Sequence, residues 1–195
     1  MKKRNFNNKY GLTKAVLNRT KNVTRDVIDD WKIKEFTSDY KVLSNLSKEE
    51  VVCKYARYKV GDIVAIGQAY KDIISELDDR HKEYVIGFYS DSPGWSNKMF
   101  VRADLMPHQI RITDVKVERL KDITDEDCLR EGILQKSNFP RKKSYPFYFV
   151  GGKREWDNSY STPRQAFAAL IDKVSGKGTW ERNPWVFVYE FELVK

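Results

Sequence analysis

The side chains best suited to chemistry lie in one run, Asn18-Arg19-Thr20-Lys21-Asn22-Val23-Thr24-Arg25. It brings amine, guanidinium, hydroxyl and amide groups together. It also closes a segment, residues 1–25, that holds eight basic residues (Lys2, Lys3, Arg4, Lys9, Lys14, Arg19, Lys21 and Arg25) and no Asp or Glu. The whole chain carries 36 basic and 28 acidic residues, a net of +8, so the entire charge excess sits in that segment. A localised positive field beside hydroxyls and amides predicts an anionic or nucleotide-like partner, with Lys14, Arg19, Asn22 and Arg25 as contacts.

The elements that must position this run can be read from local patterns. Residues 1–9 read as a frayed basic arm. Leu12, Ala15 and Val16 recur at helical spacing, so a short helix over 12–18 delivers the polar run, and a strand starts near Val23. Residues 29–58 read as an insertion. Within it Ser47-Lys48-Glu49-Glu50 forms a capping box for a helix with Val51, Val52, Tyr55 and Tyr58 on one side. Lys59-Val60-Gly61-Asp62 then turns into a strand over 63–67, followed by a charged loop or surface helix over 70–84.

Strands are expected over 99–101 and 109–120. In the second, Ile110, Ile112, Val115 and Val117 alternate with polar residues, and the phase slips near Thr113-Asp114, which predicts a bulge. Thr124 caps a short helix over 125–131, whose three leading acids suit the positive end of its dipole. Gly132 stops it. Residues 134–160 read as a long polar, basic and aromatic connection. Thr162-Pro163-Arg164-Gln165 starts a helix that runs to Gly176. After Asn183-Pro184, a closing strand over 185–193 places Trp185, Phe187, Tyr189, Phe191 and Leu193 on one face. The non-alternating order predicts an α+β fold, with six or seven strands curling into a small β-barrel flanked by helices.

At 195 residues one domain is the default, and no apolar run approaches the ~20 residues of a membrane span. The basic N-terminus lacks the apolar stretch of a secretory signal. Cys53 and Cys128 are far apart and have no paired motif, so both read as free buried thiols of a reducing, cytoplasmic compartment. His81 and His108 are isolated too. The ligand types are too dispersed for a metal site, and no cofactor is implied.

Several of these motifs together resemble the ASCH domain family, a group related to the PUA RNA-binding fold. Leu12 to Arg25, with its Lys-x-x-Thr-Arg core at Lys21–Arg25, resembles the family signature Gly-Arg-Lys-Thr-x-Thr-x-Arg or Gly-Arg-Lys-Thr-x-Thr-Arg-Arg. Lys59-Val60-Gly61-Asp62-Ile63-Val64 resembles its Gly-Asp turn into a strand. The stretch from Ile112 to Glu131 resembles the strand and short helix that follow. Trp180-Glu181-Arg182-Asn183-Pro184-Trp185-Val186-Phe187-Val188-Tyr189-Glu190-Phe191 resembles the family ending W-x-x-N-P-W-V-W-V-x-x-F. The likeness covers most of residues 10–195, a single domain after the 1–9 arm, with 29–58 and 134–160 as additions. Arg19 stands where the family has glycine, and Thr20 and Asn22 flank the lysine.

The resemblance implies a β-barrel that binds RNA or a modified nucleoside in a basic cleft. Lys21, Thr24 and Arg25 would form the floor, with Glu131 opposite. Some family members are amidohydrolases that deacetylate N4-acetylcytidine with a Lys, a Thr and a Glu, which match Lys21, Thr24 and Glu131 here. Lys21 and Thr24 are three apart and become neighbours only on a turn-like path. A lysine base must fall from about 10.4 toward neutrality, which Arg19, Arg25 and burial would promote. Thr24 would be the nucleophile, Glu131 a proton holder, and Arg25 a phosphate or oxyanion contact. A different reading makes the chain a protein-interaction module, using Phe139, Tyr145, Phe147, Tyr148 and Trp156 among basic residues.

Overall fold

A computed structural model describes residues 1–28, 48–137, 146–151 and 159–194. Its centre is an antiparallel pair, β4 (Gln109–Arg119) and β8 (Trp185–Leu193), in register from Ile110 opposite Leu193 to Arg119 opposite Trp185. The register shifts between Ile112 and Asp114, the bulge that the alternation predicts. β8 is buried on both faces: Val186 and Val188 are as inaccessible as Phe187, Tyr189 and Phe191. It therefore behaves as a central strand with apolar neighbours above and below, not as one with a single buried face.

β2 (Val23–Val27) pairs antiparallel with β8, which sets Thr24 opposite Tyr189 and Arg25 opposite Val188. On the other side, β3 (Ile63–Ile66) pairs antiparallel with β4. The N-terminal arm is not frayed. Lys2–Arg4 forms β1, parallel to β3 with Lys2 opposite Val64, and Lys2 Nζ binds Asp62 at 2.6 Å. That pairing joins residues far apart in sequence, so no local pattern announces it.

The expected closed barrel does not form. The α+β class holds, but the strands divide into a mixed five-stranded sheet, β1-β3-β4-β8-β2, and a separate three-stranded sheet. The second sheet is β5 (Ile133–Ser137), β6 (Pro146–Val150) and β7 (Ser159–Tyr160), successive strands that pair with one another rather than extending the first. Among the described residues no backbone ladder joins the edges β1 and β2. Side chains bridge them instead. Arg4 on β1 reaches Asp26 on β2 at 2.5 and 2.7 Å and Thr24 at 3.0 Å. The sheet curls until its edges face each other, and an ion pair occupies the gap where a ladder would run.

The 134–160 segment is thus partly strand. Phe147 is exposed and Tyr148 half-buried in β6; Phe139, Tyr145 and Trp156 lie outside the described residues. Residues 98–100 form a 3-10 turn rather than a strand, because the Asn97 side chain accepts the Met99 N–H at 3.0 Å and starts a turn.

Among the described residues the α-helices are α1 (Leu12–Leu17), α2 (Lys48–Tyr55), α3 (Tyr70–Ile73), α4 (Asp79–Tyr89), α5 (Asp125–Arg130), α6 (Pro163–Ser175) and α7 (Thr179–Arg182). Ser47, and the capping box with it, lies outside the described residues. The other caps form: Thr124 accepts from Asp127 N at 3.0 Å, and Thr162 from Gln165 N at 3.2 Å. α6 buries Ala166, Phe167, Leu170 and Ile171 in the main core and packs on α5, on α7 and on the small sheet, β5, β6 and β7. A second core gathers Ala65, Tyr70, Ile73, Val85, Val101 and Met106. Among the described residues no helix is long and apolar enough to cross a membrane.

Candidate functional site

A cavity of about 520 Å³ opens between the facing sheet edges and α6. Its floor is Lys21, Thr24, Arg25, Asp26 and Glu131; Phe167, Leu170 and Ile171 of α6 form an apolar wall; Arg4 to Lys9 and the 98–99 turn complete it. The volume lies within the ~300–1,000 Å³ usual for small-molecule sites.

Local structure delivers Lys21 and Glu131 to each other. After α1 the Lys21 N–H donates to Ala15 O at 3.0 Å, and Asn22 N bonds Arg130 O at 3.0 Å, which docks the run against the end of α5. Glu131 follows α5, and Gly132 at φ +98° turns the chain into β5. A Cβ on Gly132 would lie 3.3 Å from Leu12 Cδ2 and 3.6 Å from Lys21 Cβ, so the turn and the close approach both favour glycine.

The Lys21 side chain is 2% exposed. Its Nζ donates to Glu131 Oε2 at 2.5 Å, Val23 O at 2.6 Å and Glu131 O at 2.8 Å, one acceptor for each ammonium proton. Burial is the main influence on its acidity and pulls its pKa below the ordinary lysine value. Glu131 opposes this, while Arg4 and Arg25 reinforce it. The flanking charges that act on Lys21 are thus Arg4 and Arg25, not Arg19.

Thr24 is buried, and its Oγ1 accepts from Arg4 Nη2 at 3.0 Å. The Arg4 guanidinium lies 5.5, 5.8 and 5.9 Å from the ring centres of Phe6, Tyr58 and Tyr189. Burial disfavours its charge, but the attraction and hydrogen bonds of Asp26 outweigh that, and its pKa rises. For Asp26, burial pulls the pKa up and Arg4 pulls it down further, to a net value below the ordinary carboxylate.

Arg25 is enclosed rather than offered to a ligand. Its guanidinium binds Glu118 at 2.7 Å, Asp127 at 3.0 Å and Glu131 at 3.1 Å. Three carboxylates use its donors, so it braces β2 against β4 and α5. A phosphate or oxyanion would have to displace one of them.

The remaining residues singled out in the sequence do not line the cavity. Asn22 Oδ1 accepts from Arg130 Nε at 3.1 Å. Lys14 and Arg19 are exposed on α1 and the turn after it. Arg19 has φ +60°, a conformation glycine adopts freely. The positive N-terminal segment is also largely answered by partners from elsewhere in the chain. Lys2 pairs with Asp62, Arg4 with Asp26 and Lys21 with Glu131, while Lys3 Nζ caps the carbonyls of Lys98, Met99 and Val101 at 3.3, 3.0 and 2.7 Å.

Sequence reasoning missed Arg4, Asp26 and Lys98 as parts of the site. Lys98 Nζ donates to Phe6 O, to Asn8 Oδ1 at 2.8 Å and to Thr13 Oγ1 at 3.3 Å, and burial lowers its pKa to about 8. Arg4 was visible only as one basic residue among eight; the signal that marks it, an acid on the opposite sheet edge, exists only in three dimensions. Among the described residues no group of three or more His, Cys, Asp or Glu could hold a metal ion. No family model, curated protein or solved structure matches the chain.

Proposed function

We propose that the cavity binds a nucleoside-sized ligand and hydrolyses an amide on it, as an amidohydrolase of N4-acetylcytidine or a related N-acylated nucleoside. One observation carries this reading: a desolvated lysine, hydrogen-bonded to a buried glutamate, shares a small cavity with a threonine hydroxyl. The resemblance of the Lys21–Arg25 run and the closing motif to the ASCH family supports the same chemistry.

In this mechanism Lys21, in its amine form, takes the Thr24 hydroxyl proton as Oγ1 attacks the acyl carbonyl carbon. The carbonyl electron pair moves to oxygen. Collapse of the tetrahedral intermediate breaks the C–N bond, and the Lys21 ammonium returns the proton to the departing nitrogen. Water, deprotonated by Lys21, then cleaves the acyl–Thr24 ester to carboxylic acid and free hydroxyl. Glu131 Oε2, 2.5 Å from Lys21 Nζ, takes one ammonium proton before attack, which leaves the amine, and returns it when the cycle closes. The cations of the floor are already paired with carboxylates, which favours a neutral base over a phosphodiester as the group bound there.

A second reading is an RNA-binding module without hydrolysis. The exposed Lys9, Lys14 and Arg19 favour it, since these cations lie outside the ion-paired floor. Incubation with N4-acetylcytidine and separation of cytidine by chromatography decides between the two. Cytidine release by wild type, reduced at least ~10²-fold in Lys21→Ala and Thr24→Ala, is the expected result. No release at high protein concentration overturns hydrolysis of this substrate and favours the binding module. RNA affinity at low salt, where phosphate contacts are strongest, then tests that module.

A further inference from the structure

We propose that Arg4 is a catalytic residue of this site, a cation carried across the open sheet edge to the nucleophile and to the oxyanion formed from it. The inference rests on the hydrolytic reading above and adds a residue that no sequence motif marks.

The geometry of Arg4 exceeds that of a structural ion pair. Two of its nitrogens grip both oxygens of Asp26, at 2.5 and 2.7 Å, in the fork arrangement that fixes a guanidinium plane. The nitrogen nearer Asp26 also points a hydrogen at Thr24 Oγ1, 3.0 Å away. That oxygen is the atom proposed to attack. Phe6, Tyr58 and Tyr189 enclose the guanidinium, and its Nε is buried with no acceptor among the described residues. A buried guanidinium with an unused donor is costly to retain for stability alone.

The donated hydrogen bond has two consequences. In the resting site it withdraws electron density from Oγ1 and turns the hydroxyl hydrogen away from Arg4, leaving it to be transferred to Lys21. During attack the Oγ1–carbon bond forms and the carbonyl pair becomes an oxyanion on the same carbon as Oγ1. The Arg4 N–H is already within hydrogen-bond distance of Oγ1 and moves only slightly to bond the oxyanion. When the C–N bond breaks, the oxyanion pair re-forms the carbonyl and Arg4 returns to the ester oxygen. Arg4 gains and loses no proton at any step. The donor is held in place before the charge appears, which is what makes such stabilisation effective. Arg25, tied to three carboxylates, lacks the freedom to serve.

The test compares steady-state kinetics on N4-acetylcytidine for wild type, Thr24→Ala, Arg4→Ala, Arg4→Lys and Asp26→Asn. Arg4→Ala is expected to lower kcat about 10²–10³-fold while KM changes little. Arg4→Lys keeps the charge but cannot fork onto Asp26 and reach Thr24 together, and loses at least about tenfold. Asp26→Asn frees the guanidinium and falls between wild type and Arg4→Ala. Methylguanidinium added to Arg4→Ala restores kcat at least about tenfold, and has no effect on Thr24→Ala, an outcome a purely structural role does not produce. Near-ultraviolet circular dichroism reports folding, and where Arg4→Ala does not fold, Arg4→Lys and Asp26→Asn carry the comparison. A folded Arg4→Ala with kcat within about threefold of wild type, or with its loss confined to KM, overturns the role of Arg4 and leaves the hydrolytic reading standing. Wild-type protein that turns over nothing overturns both.

Discussion

Replacing Glu131 with leucine removes a carboxylate that binds both Lys21 and Arg25, at 2.5 and 3.1 Å, from a position 4% exposed. The two partners do not suffer equally. Arg25 keeps Glu118 and Asp127, so its charge stays compensated. Lys21 keeps the carbonyls of Val23 and residue 131 but loses its carboxylate. Breaking a buried pair on one side costs about 3–5 kcal/mol. With a urea m-value of about 2 kcal/mol/M, the unfolding midpoint falls by roughly 1.5–2.5 M. The double variant Lys21→Met/Glu131→Leu removes the stranded charge and recovers at least about half of the deficit.

The pH dependence follows from the direction of the Lys21 shift. Burial, Arg4 and Arg25 lower its folded pKa, and Glu131 alone among the main influences raises it. Without Glu131 the folded value drops further, while the unfolded value stays near the usual ~10.4. Between those values the unfolded chain binds more protons, so stability of the variant rises with pH by up to about 1.4 kcal/mol per unit. The deficit relative to wild type is therefore largest at low pH and shrinks as pH climbs toward 10. Urea titrations of the wild-type, single-variant and double-variant proteins from pH 6 to 9.5 measure it. A deficit below about 1 kcal/mol, or a double variant no more stable than Glu131→Leu, refutes the stranded-charge reasoning.

Gly132→Ala should destabilise the fold by about 1–2 kcal/mol, because φ is +98° and the new methyl meets Leu12 at 3.3 Å; an unchanged melting temperature contradicts this. Lys98 has a folded value of about 8, lowered by burial, so its contribution to stability rises from pH 8 toward its unfolded value of ~10.4. Lys98→Met should flatten part of that rise in urea midpoints measured across the range. Burial, first, and Asp125, second, push the Cys128 thiol up to about 12. In a Cys53→Ser background it should resist thiol reagents at pH 8 until the protein unfolds, and rapid labelling of native protein would count against its burial.

Elements with strong local signals were legible in the sequence: the Thr162–Pro163 helix start, the Thr124 cap, and the alternation of β4 with its slip at Thr113-Asp114. Elements defined by distant pairing were not. β1 is three residues long and exists because β3 lies beside it, so its own residues carry no strand pattern. The hairpin of β5 and β6 was hidden in a segment whose polarity reads as loop. The open sheet could not be told from a barrel, because the difference is whether two edges meet by backbone or through Arg4 and Asp26. For the site, Lys21 and Glu131 are 110 residues apart. Their meeting was implied by the family resemblance, not by any spacing. The charge count located basic residues but not the acids that answer them.

The strand order also dictates when this site can exist. β2 carries Thr24 and Arg25, yet among the described residues its strand partner is β8, at the far end of the chain. β4 likewise takes its longest pairing from β8. During vectorial synthesis the strand that carries Thr24 must wait for its β8 ladder until residues 185–193 have emerged. Long-range closure of this kind slows folding and leaves a strand edge open to other chains in the meantime. A nascent chain halted before β8 holds every residue of the proposed chemistry and none of the geometry. Cavity formation thus reports completion of the sheet, and a chain released early would lack the cavity altogether rather than hold part of it.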